Sequence, residues 1–176
     1  QRAGGAPSPV PLDGVPPLPE QYEPRPALEA ARRAALLRSE GVMAITAATT
    51  GISGPPGAGK TTMAKVLARD PLVHARFPDG VTWLAFGRER TGAEVLRALA
   101  WRLGVSMEAG VQLGRAELAS AVGRSLAGQR RLLVLDDIWT SEQLSAFAAL
   151  TAEGGRLGKL VTTRSEELAG EHAHKV

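Results

Sequence analysis

The chain contains no cysteine. That excludes a disulfide framework, a thiolate zinc site and a cysteine nucleophile. Histidine is scarce: His74, His172 and His174 are too few to build a multi-histidine catalytic metal centre. His172 and His174 sit near the C-terminus and read as solvated side chains. No stretch approaches the ~18 apolar residues of a membrane helix. Nor does an apolar segment follow Gln1-Arg2-Ala3-Gly4-Gly5, as a secretory signal would require. A cytoplasmic location without a membrane partner is the expectation. The start lacks a methionine, so the chain reads as part of a longer protein. A basic stripe is also missing. The net charge is +3, but the 17 arginines and 4 lysines are scattered, with Arg32-Arg33 and Arg130-Arg131 the only adjacent pairs. That distribution argues against a nucleic-acid partner.

What is present suits one folded domain. The 176 residues are 44% hydrophobic and 22% charged. A domain of about 150 residues buries roughly 70% of its unfolded surface and needs no covalent staple. Eight of the twelve prolines fall in the first 26 residues. Proline removes backbone donors and fixes φ, so residues 1–20 are expected as a flexible, extended linker, with the domain spanning 21–176. Pro26 then opens a helix to Arg38, with Gly41 just past its end. Val42-Met43-Ala44-Ile45-Thr46 reads as a strand, and so does Thr49-Thr50-Gly51-Ile52-Ser53. The second abuts a glycine-rich loop and is taken as the first core strand, leaving the role of 42–46 open. A helix over 60–69 is stopped by Pro71. Strands over 81–86, 132–135 and 159–163 alternate with helices from Thr91 to Gly104, over 116–126 and from Ser141. Ser165 reads as the N-cap of a further short helix. Such alternation predicts right-handed βαβ units around a parallel sheet. The tryptophans, Trp83, Trp101 and Trp139, read as core or interface anchors.

Gly54-Pro55-Pro56-Gly57-Ala58-Gly59-Lys60-Thr61 satisfies G-x-x-x-x-G-K-[ST]. Glycines let the backbone approach phosphates without a Cβ clash, and the helix N-terminus adds amides and a positive dipole. The amides from Gly57 to Thr62 would cradle phosphate. Lys60 would reach the β- and γ-phosphates, and the Thr61 hydroxyl would ligate magnesium. Asp136-Asp137 ends an apolar run, at the strand end where a parallel sheet meets its ligand. Asp136 would hold magnesium, and Asp137 would orient or deprotonate an attacking water. Arg164 ends the strand 159–163, where a γ-phosphate contact and a plain surface arginine are equally open. Tyr22 and Arg25 precede the first helix, where an adenine contact and a plain linker are equally open.

Together, Gly51-Ile52-Ser53-Gly54 running into Gly57–Thr62, Phe77–Trp83, Leu132-Leu133-Val134-Leu135-Asp136-Asp137-Ile138-Trp139 and Lys159–Arg164 resemble the NB-ARC module of STAND-type signalling ATPases. The resemblance covers roughly 21–176. It implies a P-loop NTPase of three-layer α/β/α form with a parallel sheet, truncated before the helical and winged-helix parts. It implies that the strand ending at Arg164 lies between the phosphate-loop strand and the strand ending at Asp136. It also implies that Arg164 senses the γ-phosphate, that Tyr22 and Arg25 contact adenine, and that ATP/ADP with magnesium are the cofactors. Family members are switches with slow hydrolysis, in which ATP favours self-oligomerisation of the full-length protein together with its other domains. Residues 42–50 look inserted relative to the family. The rivals are a AAA+-type motor or another high-turnover P-loop enzyme, and a nucleic-acid-binding regulator. A motor usually carries an acidic pair ending in glutamate where this chain has Asp136-Asp137.

Overall fold

Along the central strand, Leu132 and Val134 pack into one hydrophobic cluster while Leu133 and Leu135 pack into another. Every second side chain of a strand points to the same face, so a strand that is apolar at each position must be covered on both sides. The computed structural model describes residues 9–38, 42–45, 58–106, 113–148, 150–165 and 168. Its strands are β1 (Leu12–Asp13), β2 (Val42–Ile45), β3 (Val81–Ala85), β4 (Arg130–Ile138) and β5 (Arg156–Thr163). Its helices are α1 (Pro26–Arg38), α2 (Ala58–Leu67), α3 (Pro71–Arg76), α4 (Gly92–Arg102), α5 (Arg115–Ser125) and α6 (Ser141–Ala148). The sheet order is β1-β3-β4-β5-β2, with every pairing parallel.

One cluster joins Leu36 of α1, Met63 and Leu67 of α2 and Val73 of α3 to Val81, Trp83, Val134 and Leu160 of the sheet. The other joins Val95 and Leu99 of α4, Leu118 and Val122 of α5 and Leu144 and Phe147 of α6 to Leu84, Leu135, Ile138 and Val161. The result is the expected three-layer α/β/α arrangement. β5 lies between β4 and β2, so the neighbour described beside it is Val42–Ile45, whose role the sequence leaves open. The strand expected at 49–53 lies outside the described residues, as do Gly54 and Gly57 of the loop and the two C-terminal histidines.

Two local features depart from expectation. Pro71 stops α2 and also opens α3, because Asp70 caps the new helix by accepting from the amides of Leu72 and Val73 at 2.8 and 3.4 Å. Residues 1–20 are expected as a flexible linker before a domain that begins at 21, but residues 11–16 are joined to the domain. Leu12–Asp13 add a strand beside β3, and the Val81 amide donates to the Pro11 carbonyl at 2.9 Å. Arg102 pairs with Asp13 at 2.6 Å, and Arg69 donates to the Pro16 carbonyl at 2.6 Å. Gly14 leaves the strand at φ 70°, a conformation that suits glycine.

The other helices form where their caps say they should. Thr91 accepts from the Glu94 amide at 3.2 Å while the Glu94 carboxylate accepts from the Thr91 amide at 2.7 Å, a complete capping box. Gly92 follows because α4 and α6 touch there: a Cβ would lie 2.7 Å from that of Ala146. Trp83 is buried, whereas Trp101 is 77% exposed at the end of α4.

Asp70 ties three helices together, since its carboxylate also pairs with Arg33 of α1 at 2.8 Å. Burial alone would raise this carboxyl, but Arg33 and the two amides outweigh it and hold it below its ordinary value. A depressed carboxyl stabilises the fold above its unfolded pKa and loses that contribution as pH falls through its folded one. Asp70→Ala should therefore cost about 1–2 kcal/mol at pH 7 through the lost cap. Asp70→Asn, which keeps an acceptor, should cost less. Denaturant midpoints should converge for parent and Asp70→Ala as pH falls below the ordinary carboxyl value of 3.8. A gap that persisted in acid would contradict the assignment.

Candidate nucleotide site

The carboxyl end of the sheet carries a local irregularity that builds the site. Leu135 is in register with Val161, and Ile138 with Thr163. Asp136 and Asp137 of β4 therefore oppose the single residue Thr162 of β5, which makes a β-bulge. Asp137 takes the extra position at φ 62°, a region that aspartate tolerates better than most residues. The bulge has a consequence for side-chain direction. Strict alternation would send residue 137 into the cluster that holds Leu135. The inserted residue instead returns Ile138 to that cluster and frees both carboxylates for the crevice.

Thr162 stitches the bulge closed. Its hydroxyl donates to Asp136 Oδ1 at 2.6 Å and accepts from the Asp137 amide at 2.9 Å. Thr61, in the first turn of α2, donates to the same Asp136 oxygen at 2.9 Å. One carboxylate thus joins α2, β4 and β5. Burial raises the Asp136 carboxyl, the two hydroxyls lower it, and neighbouring Asp137 raises it again. The balance lies above the ordinary value, so an added cation would relieve the site.

Lys60, Thr61, Asp136, Asp137, Thr162, Thr163 and Arg164 line one cleft of about 180 Å³. The Arg164 Nε lies 3.8 Å from Asp137 Oδ1. Five of these residues belong to the expected set. Thr162 and Thr163 complete it, and their signal was present as polar residues at the carboxyl end of β5, directly after the apolar pair Leu160-Val161. Ala58, Gly59 and Thr62 lie in α2 beside Lys60 and Thr61. Tyr22 and Arg25 come together elsewhere, at the start of α1, and neither lines the cleft. The Glu29 carboxylate accepts from the Tyr22 hydroxyl and from the Arg25 amide. Burial and then Glu29 push the Tyr22 phenol up to about 12, which keeps it a donor.

Among the described residues no cluster of three or more His, Cys, Asp or Glu side chains could hold a metal by itself. The Thr61 hydroxyl and Asp136 carboxylate are instead a sparse, hard-oxygen donor pair. That fits a cation which shares its shell with phosphate and water. A short apolar strand, a lysine at a helix start and an acidic strand end on one cleft are the parts of a P-loop site.

The model of the NB-ARC domain matches residues 34–176. The chain belongs to the NB-ARC family. Similar proteins include two Arabidopsis thaliana proteins described as probable disease resistance proteins. One is 36% identical over 130 residues, covering 69% of this chain and 14% of that protein. The other is 34% identical over 116 residues, covering 66% and 13%. A disease resistance RPP8-like protein of the same plant is 31% identical over 122 residues, covering 69% and 13%. The chain thus spans about one seventh of the length of these relatives. This NB-ARC domain has the P-loop NTPase fold and is a nucleotide-binding module. The motor-ATPase alternative draws no support from the matches. Among the described residues no helix is long and apolar enough to cross a membrane.

The bulge generates a stability test. Thr162→Val keeps the side-chain shape but leaves the Asp137 amide without its acceptor and Asp136 with one donor fewer. The unfolding free energy measured without nucleotide should fall by about 1–3 kcal/mol, seen as a lower denaturant midpoint. Thr162→Ser should retain most of the stability. Equal midpoints for the valine and serine variants would show that the hydroxyl does not hold the bulge.

Proposed function

We propose that this NB-ARC domain holds ATP or ADP with magnesium in the described cleft and reports the γ-phosphate through Arg164. The observation that carries the reading is the convergence of Lys60, Thr61, Asp136, Asp137 and Arg164 on one small cleft. Lys60 supplies a cation for the β- and γ-phosphates, while amides from Gly54, Gly57, Ala58, Gly59 and Thr62 surround them. Thr61 and Asp136 hold the magnesium ion. Magnesium, when bound, supplies charge neutralisation across the phosphate oxygens. Asp137, partly exposed at the bulge, orients the attacking water, which makes the domain a slow ATPase whose hydrolysis sets timing. Tyr22 and Arg25 contact the adenine end.

A switch needs differential affinity for its two ligands. ATP and ADP differ at one phosphate, so a group must touch that phosphate selectively. Arg164 offers planar donors matched to phosphate oxygens and sits at the strand end across from Asp137. In the longer protein, read as cytoplasmic, the ATP form favours self-association and the ADP form holds the neighbouring domains closed.

Isothermal titration tests the reading. Lys60→Ala should lose most nucleotide affinity, and equal affinity for parent and variant would overturn the site. Asp136→Ala should remove the magnesium-dependent part of binding, whereas Asp137→Ala should bind and fail to hydrolyse. Arg164→Ala should weaken ATP by about 10- to 100-fold, from the ~1.5–3 kcal/mol of a charge-assisted hydrogen bond. ADP affinity should change little. Equal losses for the two nucleotides would make Arg164 structural.

A further inference from the structure

Arg164 is 42% exposed at the end of β5, and a long side chain in that setting has many rotamers to choose from. Two contacts narrow the choice. One is the Asp137 carboxylate. The other is Trp139, whose ring centroid lies 5.1 Å from the Arg164 guanidinium carbon. The same ring carries the Arg88 guanidinium at 4.1 Å. Trp139 itself does not line the cleft.

The backbone that carries the ring is held by a buried polar clamp. The Trp139 amide donates to Gln143 Oε1 at 2.8 Å, and the Thr140 amide donates to the same oxygen at 3.2 Å. Gln143 Nε2 donates to the carbonyls of Gly87 and Arg90 at 2.8 and 2.7 Å. Gln143 is 2% exposed, and each of its two amide atoms makes two bonds. The clamp therefore fixes the start of α6 against the loop that follows β3. Arg88 belongs to that loop and packs on the Trp139 ring. The chain of contacts runs from this loop through Gln143 and Trp139 to Arg164.

We propose that Trp139 is a positioning residue for Arg164. Its indole face, carried on the clamped backbone, holds the guanidinium at the cleft mouth, so that the arginine meets a terminal phosphate without first being ordered. This proposal rests on the reading of Arg164 given above. A side chain already in its bound geometry loses less freedom on binding, which raises affinity for the one ligand that uses it. ATP gains from that order and ADP does not. Cation–π contacts at exposed sites are modest. Loss of the indole face should therefore weaken ATP by about two- to fivefold and leave ADP unchanged.

The test is a paired titration of ATP and ADP, each with magnesium, on the full chain. Trp139→Leu removes the π face and should lower the ATP-to-ADP affinity ratio. Trp139→Phe keeps a π face and should restore most of it. In an Arg164→Ala background, Trp139→Leu should have no further effect on the ratio. An unchanged ratio in Trp139→Leu, or an equal loss for both nucleotides, would overturn the proposal. Arg164→Ala alone separates the two levels. If that variant leaves the ratio unchanged, the reading of Arg164 fails. If it lowers the ratio while Trp139→Leu does not, only the role of Trp139 fails. A second measurement leaves the ring intact, in case Trp139→Leu does not fold. With the exposed Trp101 changed to Phe, ATP should alter indole emission more than ADP does, and Arg164→Ala should abolish that difference. Identical emission with the two nucleotides would likewise overturn it.

Discussion

Asp136 Oδ1 accepts hydrogen bonds from Thr61 of α2 and Thr162 of β5. Through that oxygen the helix that follows the phosphate loop is tied to the two strands whose ends form the rest of the site. The constraint works because the carboxylate is buried, where a hydrogen bond to a charged group is stronger than in water. It also has a cost, since burial and the adjacent Asp137 push the carboxyl above its ordinary value. The resting arrangement is thus one that a cation would improve. The same two atoms, Thr61 Oγ1 and Asp136 Oδ1, hold the frame together and would form the donor pair for a metal.

The bulge is what makes a strand end into a chemical site. An ordinary strand would send successive side chains to opposite faces of the sheet. Here the extra residue lets Asp136 point toward α2 while Asp137 turns outward toward Arg164, and Ile138 regains the core. Left-handed backbone at Asp137 is a local strain, and it persists because Thr162 holds the Asp137 amide and the strands on either side are fully packed. Fold and function meet at this point: the sheet's register supplies the rigidity, and its single departure from register supplies the geometry.

Much of this was legible from residue order. The Thr91 cap, Pro26 and the apolar run 132–135 each carry a local physical signal that tertiary packing then confirmed. The lysine, the threonine and the acidic pair were legible because their spacing relative to strand ends suits phosphate chemistry, whereas a phosphate role for the arginine came only from the family resemblance. Other features were hidden for identifiable reasons. Pro71 was read as a stop and is also a start, because Asp70 can cap the next helix. The arm at 11–16 has little strand propensity, and its attachment depends on Arg69 and Arg102, which are distant in sequence. The bulge is invisible to a period-two reading, although Ile138 after two aspartates hinted at it. Thr162 looked like an ordinary strand residue until the register placed it opposite both aspartates. Trp139 read as an anchor, and its partners Arg88 and Arg164 could be found only once the strand ends were side by side.

The central claim is that one cleft, built around the bulged end of β4, receives the phosphates of a nucleotide and that its Arg164 side distinguishes three phosphates from two. Amide chemical-shift mapping on the isotope-labelled chain, with ADP and then ATP in magnesium, tests it most directly. Both nucleotides should shift Lys60, Thr61, Thr62, Asp136 and Thr162. ATP alone should add large shifts at Asp137, Trp139 and Arg164. Shifts centred away from these residues, or identical maps for the two nucleotides, would contradict it.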